Sequence, residues 1–315
     1  MKIKLTETKF KSLLRLALGL FRKAACLGAV ILICSSASAE NLFVSAYITT
    51  PSEILTDASF GAIVEFTWDG QQSIFARGLT QPGDVAFDST GNLFLTDCNG
   101  CGTLHPALAI YKVTPNGVWT TFAFEAPYYT AYLACDKAGN LFVADSDHGI
   151  IYEYKPDGSR ATFASGLNHP MGMAFDSAGN LFVVDNNAGN IYQGSIYQYK
   201  SDGSRVTFAV LDPSDRPADL AFDSMGNLYM ADLGGNIYRY DLGILRRHPR
   251  TTFGSVPNSA QSLAWDSSGN LFVMDGGGNM IYKFTSQAVR TPFASGHALG
   301  ETLKYLAVQP IPCCQ

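Results

Sequence analysis

The chain has 315 residues, with 22 basic and 27 acidic side chains and a formal net charge of −5. Seven of the basic groups and one of the acidic ones fall within residues 1–39, so residues 40–315 carry 15 against 26, a balance of −11. That balance excludes nucleic acid and an anionic membrane surface as natural partners, and the 276 residues that carry it suffice for one large domain.

Residues 1–39 read as a signal peptide. Lys2, Lys4, Lys9, Lys11, Arg15, Arg22 and Lys23 precede an apolar run from Ala24 to Ile33, and Ala37-Ser38-Ala39 has the form of an export cleavage site. The run falls short of the roughly 20 residues that a permanent span needs, and no later stretch is long and apolar enough to replace it. The expectation is a secreted or periplasmic protein, free of the membrane after cleavage.

From Asn41 onward one phrase returns six times. Five copies are complete: Asp88 to Asp97, Asp136 to Asp145, Asp176 to Asp185, Asp223 to Asp232 and Asp266 to Asp275, each reading Asp, a short turn, then Gly-Asn-Leu and an aromatic residue. The sixth, at Asn41-Leu-Phe-Val44, lacks its front half. A unit of this size cannot bury its own apolar face and must stack on its neighbours.

Within a unit the pattern is four short runs with period-two alternation and almost no helical periodicity. The third complete unit shows them as Gly172 to Phe175, Asn180 to Val184, Ile196 to Tyr199 and Arg205 to Ala209, here termed strands A to D. Between A and B, the Asp accepts backbone hydrogen bonds and the glycine (Gly91, Gly139, Gly179, Gly226, Gly269) takes a left-handed conformation. Pro115-Asn-Gly117, Pro156-Asp-Gly158 and Ser201-Asp-Gly203 supply a second hairpin between C and D. A repeated four-stranded unit is a propeller blade. The chain ends with one more strand A, Leu306-Ala-Val308, and starts at a strand B. The expected fold is therefore all-β: a six-bladed β-propeller of four-stranded antiparallel blades over residues 40–310. The C-terminal strand joins the N-terminal blade and closes the ring, leaving a tail at 311–315.

Pro170-Met-Gly-Met-Ala-Phe-Asp-Ser-Ala-Gly-Asn-Leu-Phe-Val-Val-Asp185 resembles the NHL repeat, and the resemblance extends over Asn41 to Pro310. The same family neighbourhood includes gluconolactonases, senescence-marker proteins and the lyase that completes peptide amidation. The resemblance implies that strand A lines a central channel, that the D–A and B–C loops open on the ligand face, and that metal ligands stand five residues before the repeat Asp. The lactonases place Asn, Asp and Glu there, suited to calcium; the lyase places histidines, suited to zinc. Here those positions hold Gly83, Ala131, Met171, Ala218, Gln261 and Lys304, none of them an acid or a histidine. No metal or other cofactor is expected, and an inherited divalent-cation site would have to be relocated.

One residue further along stand Asp84, Tyr132, Gly172, Asp219, Ser262 and Tyr305. Asp84 and Asp219 are weak metal candidates in a shifted register; the simpler reading has them bond backbone amides at the start of strand A. Further candidates on the ligand face are His148 and His169, with His105 and His297, and the adjacent Tyr128 and Tyr129, which suit a sugar ring or a peptide side chain. The aspartates ending strand B (Asp97, Asp145, Asp185, Asp232, Asp275) occur in every complete unit. A catalytic acid is needed once, so these read as loop-fixing acceptors.

Cys98-Asn-Gly-Cys101 precedes no helix and reads as a disulfide stapling a B–C loop lengthened to about Leu108, while Cys135 takes the place of a core aromatic as a buried free thiol. Cys313 and Cys314 leave at the opposite face. The cluster Arg246-Arg247-His248-Pro249-Arg250 reads as a solvated turn. There is no Gly-x-Ser-x-Gly elbow, no His-Glu-x-x-His pair and no phosphate-cradling loop. The sequence thus points to a secreted, monomeric binding module. It would take a small molecule, glycan or protein at the channel mouth, with Asp84, Tyr128, Tyr129, His148, His169 and Asp219 as contact candidates. The alternative is a metal-dependent lactonase or a lyase with a relocated site; whether the protein is an enzyme stays open.

Overall fold

The computed structural model describes residues 40–48, 60–99, 107–125, 131–186, 194–241, 250–296 and 301–310. The signal peptide, the tail, Tyr128, Tyr129, Cys101, His105, His297, Cys313, Cys314 and most of the Arg246 cluster lie outside these residues. Among those described, 24 strands form six four-stranded sheets.

Blade 1 contributes β1 (Leu42–Ile48), β2 (Phe60–Phe66) and β3 (Gln72–Leu79). Blade 2 is β4 (Pro82–Phe87), β5 (Leu93–Asn99), β6 (Ala107–Val113) and β7 (Trp119–Glu125). Blade 3 is β8 (Ala131–Cys135), β9 (Leu141–Asp145), β10 (Ile150–Tyr154) and β11 (Arg160–Ala164). Blade 4 is β12 (Pro170–Phe175), β13 (Leu181–Asp185), β14 (Ser195–Tyr199) and β15 (Arg205–Val210). Blade 5 is β16 (Pro217–Phe222), β17 (Leu228–Asp232), β18 (Asn236–Tyr240) and β19 (Arg250–Ser255). Blade 6 is β20 (Ala260–Trp265), β21 (Leu271–Asp275), β22 (Met280–Phe284) and β23 (Arg290–Ser295). The last strand, β24 (Glu301–Val308), completes blade 1, whose order is β24-β1-β2-β3.

The A–B hairpin is written by two side chains. Asp136 Oδ1 accepts from the backbone N–H of Ala138 and Asn140 at 2.9 and 2.8 Å, and its Oδ2 accepts from Asn140 Nδ2 at 2.7 Å. Asp88, Asp176, Asp223 and Asp266 repeat the arrangement. The glycine of each turn has φ between 78° and 85°, a region that side chains with a Cβ resist. The hairpin then feeds strand B, which is buried along its whole length in blades 3 to 6 because neighbouring blades cover both of its faces.

The recurrent aromatic of strand B is a wedge between blades. Phe182 packs edge-on against Phe208 of its own outer strand at 5.1 Å and against Phe222 of strand A in the next blade at 5.0 Å. Phe43, Phe142 and Tyr229 make the same two contacts. Each wedge adds roughly 0.5–1.5 kcal/mol per ring pair beyond its area burial. Between blades 2 and 3 the third ring is missing: Phe94 meets Phe122 at 5.1 Å, and Cys135, a free cysteine, stands where the next aromatic would be. Burial, and the nearby Asp88 and Asp136 carboxylates, push its thiol well above the ordinary range, so it is a packing residue.

In blade 2 the two central strands run further than the sequence suggests. Pairing of Cys98 with Leu108 and of Asn99 with Ala107 places Cys98 inside β5 and not in the loop, because the lengthened connection lets the ladder continue. Cys98 is disulfide-bonded; its partner lies outside the described residues.

The ring closes as the two half-blades require. β24 pairs antiparallel with β1, from Leu42 opposite Val308 to Ile48 opposite Glu301, and buries Leu303, Leu306 and Ala307. Burying each such aliphatic side chain is worth roughly 1.5–3 kcal/mol for leucine, less for alanine. A chain ending before Leu303 should melt at least about 10 °C below one ending at Pro310; calorimetry showing the two within about 2 °C would contradict the closure.

Candidate functional site

Strand A bulges where it lines the channel. In blade 2 the register slips between Pro82 and Val85, and in blades 4, 5 and 6 at the corresponding place. A bulge frees a residue from the ladder and re-aims its neighbour. The residues at this place around the ring are Asp84, Tyr132, Gly172, Asp219, Ser262 and Tyr305, in blades 2, 3, 4, 5, 6 and 1; blade 3 alone keeps an unbroken register there.

The two aspartates bind across blade boundaries. Asp84 accepts from its neighbour Val85 N–H at 2.9 Å and, with Oδ2, from Leu133 N–H of blade 3 at 2.7 Å. Asp219 accepts from Leu220 N–H at 2.8 Å and from Leu263 N–H and Ser262 Oγ of blade 6 at 2.9 and 3.0 Å. Blades 2–3 and 5–6 are thus tied on opposite sides of the ring. Gly172 is the position where no side chain fits, since a Cβ there would lie 2.4 Å from Asp219 Cα.

Tyr132 and Tyr305 reach from blades 3 and 1 and meet edge-on at 5.9 Å. Burial raises both phenols, Tyr305 to about 12. Asp84 is pushed up to about 8 by burial and by the charge of Asp219, against the pull of its amide donors. Burial alone raises Asp219, to about 6. The two carboxyls titrate as a pair that holds a proton near neutrality, so Asp84 can donate a hydrogen bond where an ionised carboxylate could not.

Above this waist opens a cavity of about 610 Å³, within the range of small-molecule sites. Its polar lining includes Gln81, Asp84, Thr96, Thr302, Lys304 and Tyr305, with Tyr47 beside them, and the apolar part includes Leu108 and Ala131. A second space of about 180 Å³ lies against Asp84, Asp219 and Ser262, so Asp84 borders both. Among the described residues no group of three His, Cys, Asp or Glu side chains is placed to hold a metal ion.

The histidines belong to neighbouring blades on the loop face. His148 Nδ1 lies 2.9 Å from Asp145 Oδ2, and His169 Nδ1 lies 2.9 Å from the Ser146 carbonyl. Neither lines the cavity, and the structure does not bring them to Asp84 or Asp219. The strand-B aspartates fix loops: Asp97 accepts from Thr80 and Gln81 N–H, Asp185 from Asn168 and His169, Asp232 from Arg216 and Gly234, and Asp275 from Asn258 and Ser259. Asp145 holds its own loop through Asp147 and His148 N–H. Sequence reasoning passed over Tyr47, Gln81, Thr96, Lys304 and the tyrosine pair as contacts. Aligning the six strands A already put Lys304, Tyr132 and Tyr305 at the mouth, but only the closed ring shows that they converge.

Two outcomes test this geometry. The raised carboxyls favour the protonated fold, so their contribution is complete below the ordinary aspartate value of 3.8 and is lost as pH rises through about 6 and then about 8. For Asp219 alone this is on the order of 3 kcal/mol. The melting temperature should fall between pH 5 and 8.5, and Asp84→Asn with Asp219→Asn should remove most of the slope; a flat wild-type profile would contradict the assignment. Replacing the buried Asp185 with alanine strands two amide donors and should cost about 1–3 kcal/mol in denaturant unfolding, while leaving ligand affinity at the mouth unchanged.

A model of the N-terminal part of strictosidine synthase-like proteins matches residues 204–240, the end of blade 4 and the first three strands of blade 5. No curated protein sequence matches the chain at a significant level. Among solved structures, a chain of a nidogen/laminin complex is similar with a TM-score of 0.67 at 18% identity, over 87% of this chain and 100% of that one. A gluconolactonase from Xanthomonas campestris gives 0.62 at 19% identity, over 86% and 95%. Virginiamycin B lyase from Staphylococcus aureus gives 0.56 at 15% identity, over 80% and 84%. The likeness read from the repeats therefore holds at the level of fold: the chain is a six-bladed β-propeller.

Proposed function

We propose that this is an exported ligand-binding propeller whose site is the cavity at the channel mouth, and that its ligand is a small polar molecule. The observation that carries the reading is the lining itself: a cavity of about 610 Å³ whose wall combines apolar side chains with Lys304, Gln81, Thr96, Tyr305 and the Asp84 carboxyl. The resemblance assigns metal ligands to the places here taken by Gly83, Ala131 and Lys304. In their stead the cavity offers one fixed cationic charge, hydroxyl and amide groups, and a carboxyl able to donate or accept. Such a set orients a ligand through several hydrogen bonds without a metal.

A second reading is an enzyme of the lactonase or lyase sort, after the activities named for two of the structural relatives. It is favoured by one observation: a carboxyl raised to about 8 beside a ligand-sized cavity is matched to proton donation near neutral pH.

Thermal shift with a panel of sugar lactones, sugar acids and short peptides, followed by turnover assays with and without EDTA, separates the two. A ligand present at 100 times its dissociation constant stabilises by about 2.7 kcal/mol. The binding reading expects such a shift in the wild type, its loss in Lys304→Met, and no turnover. Turnover that EDTA or Asp84→Asn abolishes would replace it with the enzymatic reading.

A further inference from the structure

The outer strand of blade 2 breaks a pattern that the other blades keep. In blades 3 to 6 strand D starts with an arginine lying over the tyrosine ring of the adjacent strand C: Arg160 over Tyr152, Arg205 over Tyr197, Arg250 over Tyr238 and Arg290 over Tyr282, at 4.1 to 5.1 Å. Blade 1 places Arg77 over Phe60. Charge on an outermost strand keeps other chains from adding to the sheet. In blade 2 the arginine is replaced by Trp119, whose ring meets Tyr111 edge-on at 6.0 Å. No residue from Thr114 to Phe124 is charged. Val118 is 57% exposed, Trp119 39% and Phe124 72%.

The register of β7 on β6 explains how these residues form one surface. Trp119 pairs with Val113, Thr121 with Tyr111 and Phe124 with Ala109, with the irregularity at Phe122. Ala109, Tyr111 and Val113 alternate along β6 and so share a face. Phe124 stands five positions after Trp119, an odd offset that in a regular strand would set them on opposite faces. The bulge at Phe122, which turns that ring inward onto Phe94, carries Phe124 round to the face of Trp119. An exposed, uncharged stripe results, with an aromatic ring at each end and Thr121 between them. The matching end residues are Arg160 and Ser165 in blade 3, Arg250 and Ser255 in blade 5, and Arg290 and Ser295 in blade 6.

We propose that this stripe is a self-association face, on which a second copy of the chain docks about a two-fold axis with Trp119 of each copy against Phe124 of the other. A stripe with an aromatic at both ends is its own complement when antiparallel, as an isologous contact requires. Residues 40–315 carry a balance of −11, so two copies repel over most approaches; the uncharged run is a place where they meet without opposed like charges. The contact is narrow, and interfaces at the small end of the range are weak and concentration-dependent. The result is a reversible dimer, in place of the monomer that the sequence suggests.

Sedimentation equilibrium on the full chain, purified after export, tests this. The wild type should pass from one copy toward two as concentration rises from about 1 to about 200 µM. Trp119→Arg with Phe124→Ser installs the residues of blades 3, 5 and 6, and should hold the mass at one copy with the melting temperature preserved. If that double variant does not fold, Phe124→Asp alone, at an exposed side chain, should have the same effect. A wild type that stays at one copy throughout, or a folded variant that dimerises as well as the wild type, overturns the proposal.

Discussion

The pairing of β24 with β1 is the constraint on which the rest of the molecule depends. It joins residues some 260 positions apart, as in the bond from Tyr305 N–H to Ser45 Oγ, and turns five complete blades and two half-blades into a ring. The same strand carries Thr302, Lys304 and Tyr305 into the mouth cavity, opposite Asp84 and Ala131. Closure and site are therefore one event. Before β24 docks the cavity lacks the part of its wall that Thr302, Lys304 and Tyr305 supply. Contacts of such sequence separation form at a high cost in loop entropy, which favours a late step that depends on blades already assembled.

Within the closed ring, repetition and exception divide the work. The turn Asp and Asn, the strand-B aromatic and the strand-B Asp recur because each blade must make the same hairpin, the same wedge and the same loop anchor. The channel wall does not repeat: its six places hold two aspartates, two tyrosines, a serine and a glycine. Two carboxyls there bind amides of the next blade, and their burial raises them above the ordinary aspartate range. A purely structural device would avoid that cost with a neutral side chain. The wall thus sets a raised carboxyl, Asp84, next to a ligand-sized space.

Much of this was legible in the sequence because it repeats. Gly139 and Asp136 announce a hairpin wherever they occur together, and the orphan Leu306 to Val308 segment matched the missing front of the Asn41 copy. The site was less legible, for a physical reason. Asp84 is placed by a bulge and Tyr132 by its contact with Tyr305 across the ring, neither of which period-two alternation encodes. Lys304 reads as a failed metal ligand until β24 brings it beside Gln81 and Thr96. The uncharged face of blade 2 was hidden in the same way, since Trp119 and Phe124 have opposite parity in the sequence and share a face only through the bulge at Phe122.

Hydrogen exchange of the β1 and β24 amides measures the closure most directly, since it reports whether the two strands open separately or only with the whole ring. The account predicts that Val44, Leu303 and Leu306 exchange together, at the slow rate of the central strands β9, β13, β17 and β21. Rapid exchange across β24 while β1 and those strands stay protected would show that the ring stands without its last strand. The part of the cavity wall that β24 supplies would then not be fixed by closure.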